Sequence, residues 1–273
     1  MPPVTKFLLW ANILIFVLDW LFFQERIASF ASFNTASAFK EGRIWELITF
    51  QFIHGYPGHL VFNSIGIYFF GPWLERWWGS GPFVVFYLLC GVAGALFYSL
   101  LATFHIVTPG GNLVGASAGI YGCLVGAAVI DPKVQVQLFL IPFPLTIRKV
   151  ALIMLGIAVL MVIGGLVSGD AMFRNAGGEA GHLGGAILGY LLVRFPALLR
   201  KGHNAPADKV VRPKEFKRKP RQKSKLGPRT HVDTATASEV DRILDKINRE
   251  GIQSLTAKEQ QTLNEAGKSR KDR

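Results

Sequence analysis

The sequence predicts an all-α protein of the polytopic membrane class, a bundle of six transmembrane helices. Half of the 273 residues are hydrophobic and only 18% are charged, for a mean hydropathy of +0.32, too apolar for a water-soluble domain of this length. Apolar residues gather in six runs, at about 7–23, 59–74, 81–103, 117–130, 147–168 and 179–196. Most of these approach the ~20 residues that a hydrocarbon core requires. The only two cysteines, Cys90 and Cys123, both fall inside such runs. That leaves neither a disulfide framework nor a thiolate metal site, and both read as small buried hydrophobes. No metal or other cofactor is implied.

The first run follows Lys6, and small residues around Ala28 and Ala31 imitate a signal-peptide cleavage site. We read it as a retained helix, because the later runs make the chain polytopic in any case. The second run opens with His59 and Asn63, the third is strongly apolar, the fifth includes Arg148 and Lys149 at its start, and the sixth carries His182. The fourth is short: fourteen residues from Ser117 to Ile130, before Asp131-Pro132. At roughly 1.5 Å per residue it covers about 21 Å of a core about 30 Å thick. With Asp131 at the cytoplasmic interface, Ser117 starts below the outer one. Non-helical backbone such as 112–116 is tolerated at that depth only within protein or against a water-filled cavity.

Short-loop charge sets the orientation. With the N-terminus inside, the cytoplasmic side holds Lys6, Arg76, Lys133, Arg148, Lys149, Arg200 and Lys201, against Arg26, Lys40, Arg43 and Arg174 outside. Both termini are then cytoplasmic. Composition changes abruptly after the sixth run: residues 200–273 carry 20 Lys and Arg against 10 Asp and Glu, a net +10 of the chain's +12. The sequence therefore divides into a six-span core (1–198), a basic, proline-interrupted linker (199–232) and a small cytosolic helical hairpin (233–273). The linker is expected to be disordered and drawn to the anionic headgroups of the bilayer, with no nucleic acid partner. In the hairpin, Ser238-Glu-Val-Asp241 and Thr256-Ala-Lys-Glu259 read as helix starts, the second a capping-box pattern. Val240, Ile243, Leu244 and Ile247 form one apolar stripe that docks on a partner the sequence does not identify.

Six spans with this orientation make the second, fourth and sixth enter from the outer side, which brings His59, Asn63, Ser117 and His182 to one depth. Taken alone, GASAGIYG (115–122) reads as packing, because Gly115, Gly119, Gly122 and Gly126 recur at the spacings that let membrane helices approach closely. Four polar side chains converging in lipid instead point to function. Ser117 and His182 suit nucleophilic catalysis, in which the imidazole takes the hydroxyl proton during attack on a carbonyl. His59 and Asn63, on one helical face, supply oxyanion donors beside the Ser117 amide. Tyr121, one turn after Ser117, is placed to stack on the histidine. No intramembrane acid stands out as a third member, and Asp19 reads as interfacial. A zinc protease is excluded by the lack of HExxH, and an aspartyl mechanism by the lack of paired intramembrane aspartates.

HGYPGHLVFN (54–63), GASAGIYG (115–122) and GHLGGAILG (181–189) together resemble the three ordered signatures of the rhomboid intramembrane serine proteases: HxxxN, GxSx and HxxGxxxG. The resemblance covers residues from about 40 to 195 and implies a rhomboid-like bundle of bacterial type in the cytoplasmic membrane. It implies Ser117 as nucleophile, His182 as general base, and His59, Asn63 and the Ser117 amide as the oxyanion site. Tyr121 matches the aromatic residue under the histidine, Gly115 the glycine before the serine, and Gly185 and Gly189 the small residues against the fourth helix. His54 matches a histidine assigned to loop structure. The implied substrates are single-span membrane proteins whose backbone unwinds into the site, cut after a small residue. Two departures stand out: Trp45-Glu46 lies where the family often has Trp-Arg, and Ala118 replaces a frequent glycine. A rhomboid-like protein that binds membrane clients without cutting them, or a transporter, is the alternative reading.

Overall fold

The computed structural model describes residues 1–137, 142–168, 175–195, 234–250 and 252–263. The chain divides into two units, Met1–Lys214 and Glu215–Arg273, each considered on its own. The expected linker, 199–232, lies outside the described residues.

Helix α1 (Pro3–Leu18) begins with proline at its first turn, where a missing N–H costs nothing. The next two amides are taken by the Glu75 carboxylate, Val4 N at 2.9 Å and Thr5 N at 2.7 Å. The Thr5 hydroxyl donates to the same group at 2.7 Å and the Ser80 hydroxyl at 2.6 Å. An anion at a helix N-terminus also favours the macrodipole. Glu75 belongs to the last turn of a later helix, so the start of one and the end of the other share one edge of the bundle. The first helix continues as a π-helical turn, Asp19–Phe23, and stops at Gln24 and Glu25, both left-handed at φ 49° and 66°. Asp19 is only 8% exposed, and its carboxylate accepts from the amides of Ile27 and Ala28 at 2.9 and 3.0 Å. It therefore caps helix α2 (Arg26–Ala31), a more specific role than an interfacial position.

Two short helices, α3 (Thr35–Lys40) and α4 (Glu46–Thr49), complete the first connection. Glu46, at the departure from the family pattern, is 1% exposed and organises this loop as an acceptor. It takes the Asn34 amide at 3.1 Å and the Ser37 hydroxyl at 2.6 Å, and pairs with Arg43 Nε at 3.0 Å. Arg43 donates onward to the carbonyls of Ser29 and Phe30. The buried Glu46 carboxylate thus draws two hydrogen bonds and a cation three residues earlier into one loop network.

Four long helices and one short one follow: α5 (Pro57–Trp78), α6 (Ser80–Thr103), α7 (Ser117–Ile130), α8 (Ile147–Ser168) and α9 (Ala176–Arg194). The fourth and fifth apolar runs coincide with α7 and α8. The helices of the second and sixth runs begin two and three residues before the runs themselves, at Pro57 and Ala176, ahead of the point where apolarity sets in. A two-residue antiparallel pair, β1 (Gln135–Val136) with β2 (Leu145–Thr146), leads into α8. Among the described residues, three helical stretches are long and apolar enough to cross a bilayer: Pro3–Phe23, Ser80–Thr103 and Ile147–Val167. The short α7 is apolar beyond Ser117 at its start, whereas α5 carries His59 and Asn63 and α9 carries Glu179 and His182. Large hydrophobics face outward, including Phe7, Trp10 and Leu14 of α1 and Leu152, Leu160 and Val167 of α8. Such faces suit a solvent of acyl chains.

The interior is built on α9, which packs against α6, α7 and α8. Contact is close enough to require glycine. A Cβ on Gly189 would lie 2.6 Å from the Gly122 Cα, and one on Gly184 would lie 2.5 Å from the Ala93 carbonyl. One on Gly185 would overlap the Ala118 carbonyl outright. Gly185→Val therefore has to push α9 off α7. Its expected effect is a destabilisation of about 1–3 kcal/mol, as for overpacked cores, read as a lower unfolding midpoint in detergent together with loss of whatever chemistry spans the two helices.

In the second unit, α10 (Thr234–Glu250) starts four residues before the expected Ser238. A 3₁₀ turn, Ile252–Ser254, follows, and residues 257–263 are helical. Of the stripe, Ile243 is 1% exposed while Leu244 remains 44% exposed. The capping box at 256–259 is formed: the Thr256 amide donates to Glu259 Oε2 at 2.9 Å, and the Glu259 amide reaches the Thr256 hydroxyl at 3.4 Å. Lys246 Nζ adds an ion pair at 3.0 Å. The Thr256 amide first, then Lys246 and the Thr256 hydroxyl, hold the Glu259 carboxyl down at about 2. A carboxyl that is more acidic folded than unfolded stabilises above its unfolded value, near 4.3, and loses that contribution as pH falls towards 2. Amide exchange around residues 256–260 is accordingly expected to accelerate across that window, and Glu259→Gln to remove the dependence.

Candidate active site

Ser117 is the first residue of α7. It is delivered by a pinned, non-helical loop. Leu113 pairs with Phe33 through two backbone hydrogen bonds of 2.8 and 3.0 Å, and the Gly115 amide donates to Phe50 O at 2.9 Å. The Tyr98 hydroxyl donates towards the carbonyls of Gly111 at 3.1 Å and Thr108 at 3.3 Å. Gly115 sits at φ 111°, which disfavours any side chain, and a Cβ there would lie 2.6 Å from His59 Nε2 and 3.4 Å from Asn63 Nδ2. That glycine thus lets the two α5 side chains approach the start of α7.

The structure brings Ser117 and His182 into hydrogen-bond contact, Oγ to Nε2 at 2.7 Å. The His182 ring lies flat on Tyr121, with centroids 4.3 Å apart and planes 11° apart. Tyr121 is 7% exposed, so the stack rests on a buried, fixed surface. Asn63 is 4% exposed and donates one amide hydrogen to the His59 carbonyl at 3.0 Å, leaving the second for another acceptor. His54 is buried and packs edge-on against the His59 ring, centroids 5.1 Å apart. Burial first, then the neighbouring His59, bring its imidazole down to about 4, so it packs as a neutral ring at physiological pH.

One residue was not anticipated. Glu179, on the first turn of α9, places Oε2 2.8 Å from His182 Nδ1, contrary to the expectation that no acid accompanies the pair. Its signal was the i,i+3 spacing to His182 at the start of an apolar run, which puts both side chains on one helical face. Among the described residues, no group of three His, Cys, Asp or Glu is arranged to hold a metal ion.

A Rhomboid domain profile matches residues 41–197, which is more than half of the chain. The chain belongs to the rhomboid family. With its apolar helices, this makes it an integral membrane protein. It is 29% identical over 208 residues to RHOMBOID-like protein 12, mitochondrial, of Arabidopsis thaliana, covering 70% of this chain and 57% of that protein. It is 30% identical over 166 residues to the rhomboid protease GluP of Bacillus subtilis, covering 61% of this chain and 29% of that protein. Rhomboid protein 1, mitochondrial, of Saccharomyces cerevisiae matches at 27% over 208 residues, 70% of this chain and 55% of that protein. This rhomboid thus spans about half or less of the length of these curated relatives. Residues 234–269 match a second family, described as of unknown function.

Proposed function

We propose that this rhomboid is an intramembrane serine protease of six spans with both termini cytoplasmic, which cuts membrane-anchored proteins with a Ser117–His182 pair. The observation that carries the reading is the 2.7 Å contact between Ser117 Oγ and His182 Nε2 on a ring held flat against Tyr121. In this mechanism His182 takes the serine proton as Oγ attacks the scissile carbonyl, then returns it to the leaving amine. Water repeats the sequence in reverse and frees the acyl product. The negative oxygen is met by the Ser117 amide, the free Asn63 amide hydrogen and the His59 ring. The substrate is a single-span segment that unwinds locally, since a regular helix hides its carbonyls in its own hydrogen bonds. The similarity to proteins named rhomboid proteases supports the same reading.

The test is cleavage in proteoliposomes of a single-span substrate bearing a fluorescent reporter on each side of the bilayer. Release that disappears in Ser117→Ala supports the proposal. Uptake of a small solute that survives Ser117→Ala, without cleavage, supports a transporter, and capture of intact clients supports a non-cleaving binder.

A further inference from the structure

Glu179 is the feature that a serine–histidine pair alone does not use. Its carboxylate Oε2 lies at hydrogen-bond distance, 2.8 Å, from His182 Nδ1, and the two side chains are only 13% and 16% exposed. An ionised carboxylate only accepts, so this contact requires the proton on Nδ1 and leaves the Nε2 lone pair facing the Ser117 hydroxyl 2.7 Å away. That is the tautomer a general base needs. The acid is itself held in place: Asn175 Nδ2 donates to Glu179 Oε1 at 3.4 Å, and the Glu179 amide closes the first helical turn onto Asn175 O at 3.0 Å. A Cβ on Gly178 would lie 2.5 Å from Asn175 Oδ1, so the glycine makes room for the asparagine. The first turn of α9 also favours a negative charge through the helix dipole.

We infer that Glu179 is a positioning residue that completes a Ser117–His182–Glu179 relay, selecting the His182 tautomer and stabilising the imidazolium formed during acylation. The inference rests on the protease reading for its kinetic consequence. The proton moves from Ser117 Oγ to His182 Nε2 and on to the leaving amine, while the Nδ1 proton stays on the ring and Glu179 remains ionised throughout. Glu179 touches neither substrate nor serine. It works through His182 alone, on the opposite side of the ring from the nucleophile, with Tyr121 fixing the ring plane between them.

Glu179→Gln keeps size and shape but removes the charge and allows an amide N–H to face Nδ1, which favours the other tautomer. Loss of the corresponding acid in a buried soluble triad costs about 10⁴-fold in kcat. Here the carboxylate sits at a helix end within reach of solvent, and the expected loss is about 10- to 100-fold in kcat with KM little changed, Glu179→Asp recovering part of it. The test combines these kinetics with the ring ¹⁵N shifts of His182 in histidine-labelled protein. Wild type is expected to show protonated Nδ1 and unprotonated Nε2, and Glu179→Gln a mixed or reversed pattern at an unchanged unfolding midpoint. A Glu179→Gln enzyme within about twofold of wild-type kcat, or an unaltered ring pattern, overturns the inference while leaving the serine protease reading intact. Wild-type protein that cleaves nothing counts against the protease, and the ring shifts still decide whether Glu179 sets the tautomer.

Discussion

Ser117→Ala and His182→Ala are each expected to lower the cleavage rate by on the order of 10⁴-fold or more, and the double variant to be scarcely worse than either single one. The reason is the 2.7 Å contact: the hydroxyl is a poor nucleophile until Nε2 accepts its proton, and the imidazole has no other route to the substrate. Each residue is useless without its partner, so the second deletion removes nothing further. Residual turnover in all three variants comes from oxyanion donors and substrate positioning, and is expected to be the same size. The measurement is a rate comparison in one detergent or lipid at matched folding. Multiplicative losses would mean that the two side chains act independently, which is incompatible with a relay.

Asn63→Ala is expected to reduce kcat by about ten- to a thousandfold, with KM changing much less. The side chain is 4% exposed, and one of its hydrogens is committed to the His59 carbonyl while the other remains available. It stands beside Gly115, two residues before the serine, where the bare backbone lets it approach. A donor aimed at charge that develops only during attack lowers the barrier without tightening ground-state binding. His59 and the Ser117 amide remain in the variant, which is why the expected loss is smaller than for the serine. A raised KM at constant kcat would instead assign Asn63 to substrate binding.

Much of the candidate site's arrangement was readable from spacing. His59 and Asn63 four apart, Ser117 and Tyr121 four apart, and small residues at every fourth position of the sixth run each place side chains on one helical face. The ordering of three such motifs within an apolar background completes the pattern. Glu179 was legible by the same rule, at i−3 from His182, but it falls at the first residue of the run, where a carboxylate reads as an interfacial charge. The loop architecture was less accessible. Nothing local in Trp45-Glu46 reveals that the acid is buried on Asn34, Ser37 and Arg43, because those partners are brought in by tertiary folding. Asp19 and Glu75 are similar cases: each caps a helix distant in sequence or across a break, and only the packed structure supplies the amides. The span count was the least legible feature in the sequence. Periodicity and length identify α1, α6 and α8, whereas α5 and α9 dilute their apolarity with the residues that form the site, and α7 is short.

The most direct measurement is covalent labelling by a fluorophosphonate probe, which reports an activated serine without requiring a substrate. Purified membranes carrying wild type, Ser117→Ala and His182→Ala are compared at equal amounts of folded protein. Labelling of wild type alone is the predicted result, since the probe needs both the hydroxyl and the base. Equal labelling of Ser117→Ala, or none in folded wild type, would contradict the account and return Ser117 to a small residue chosen for helix packing.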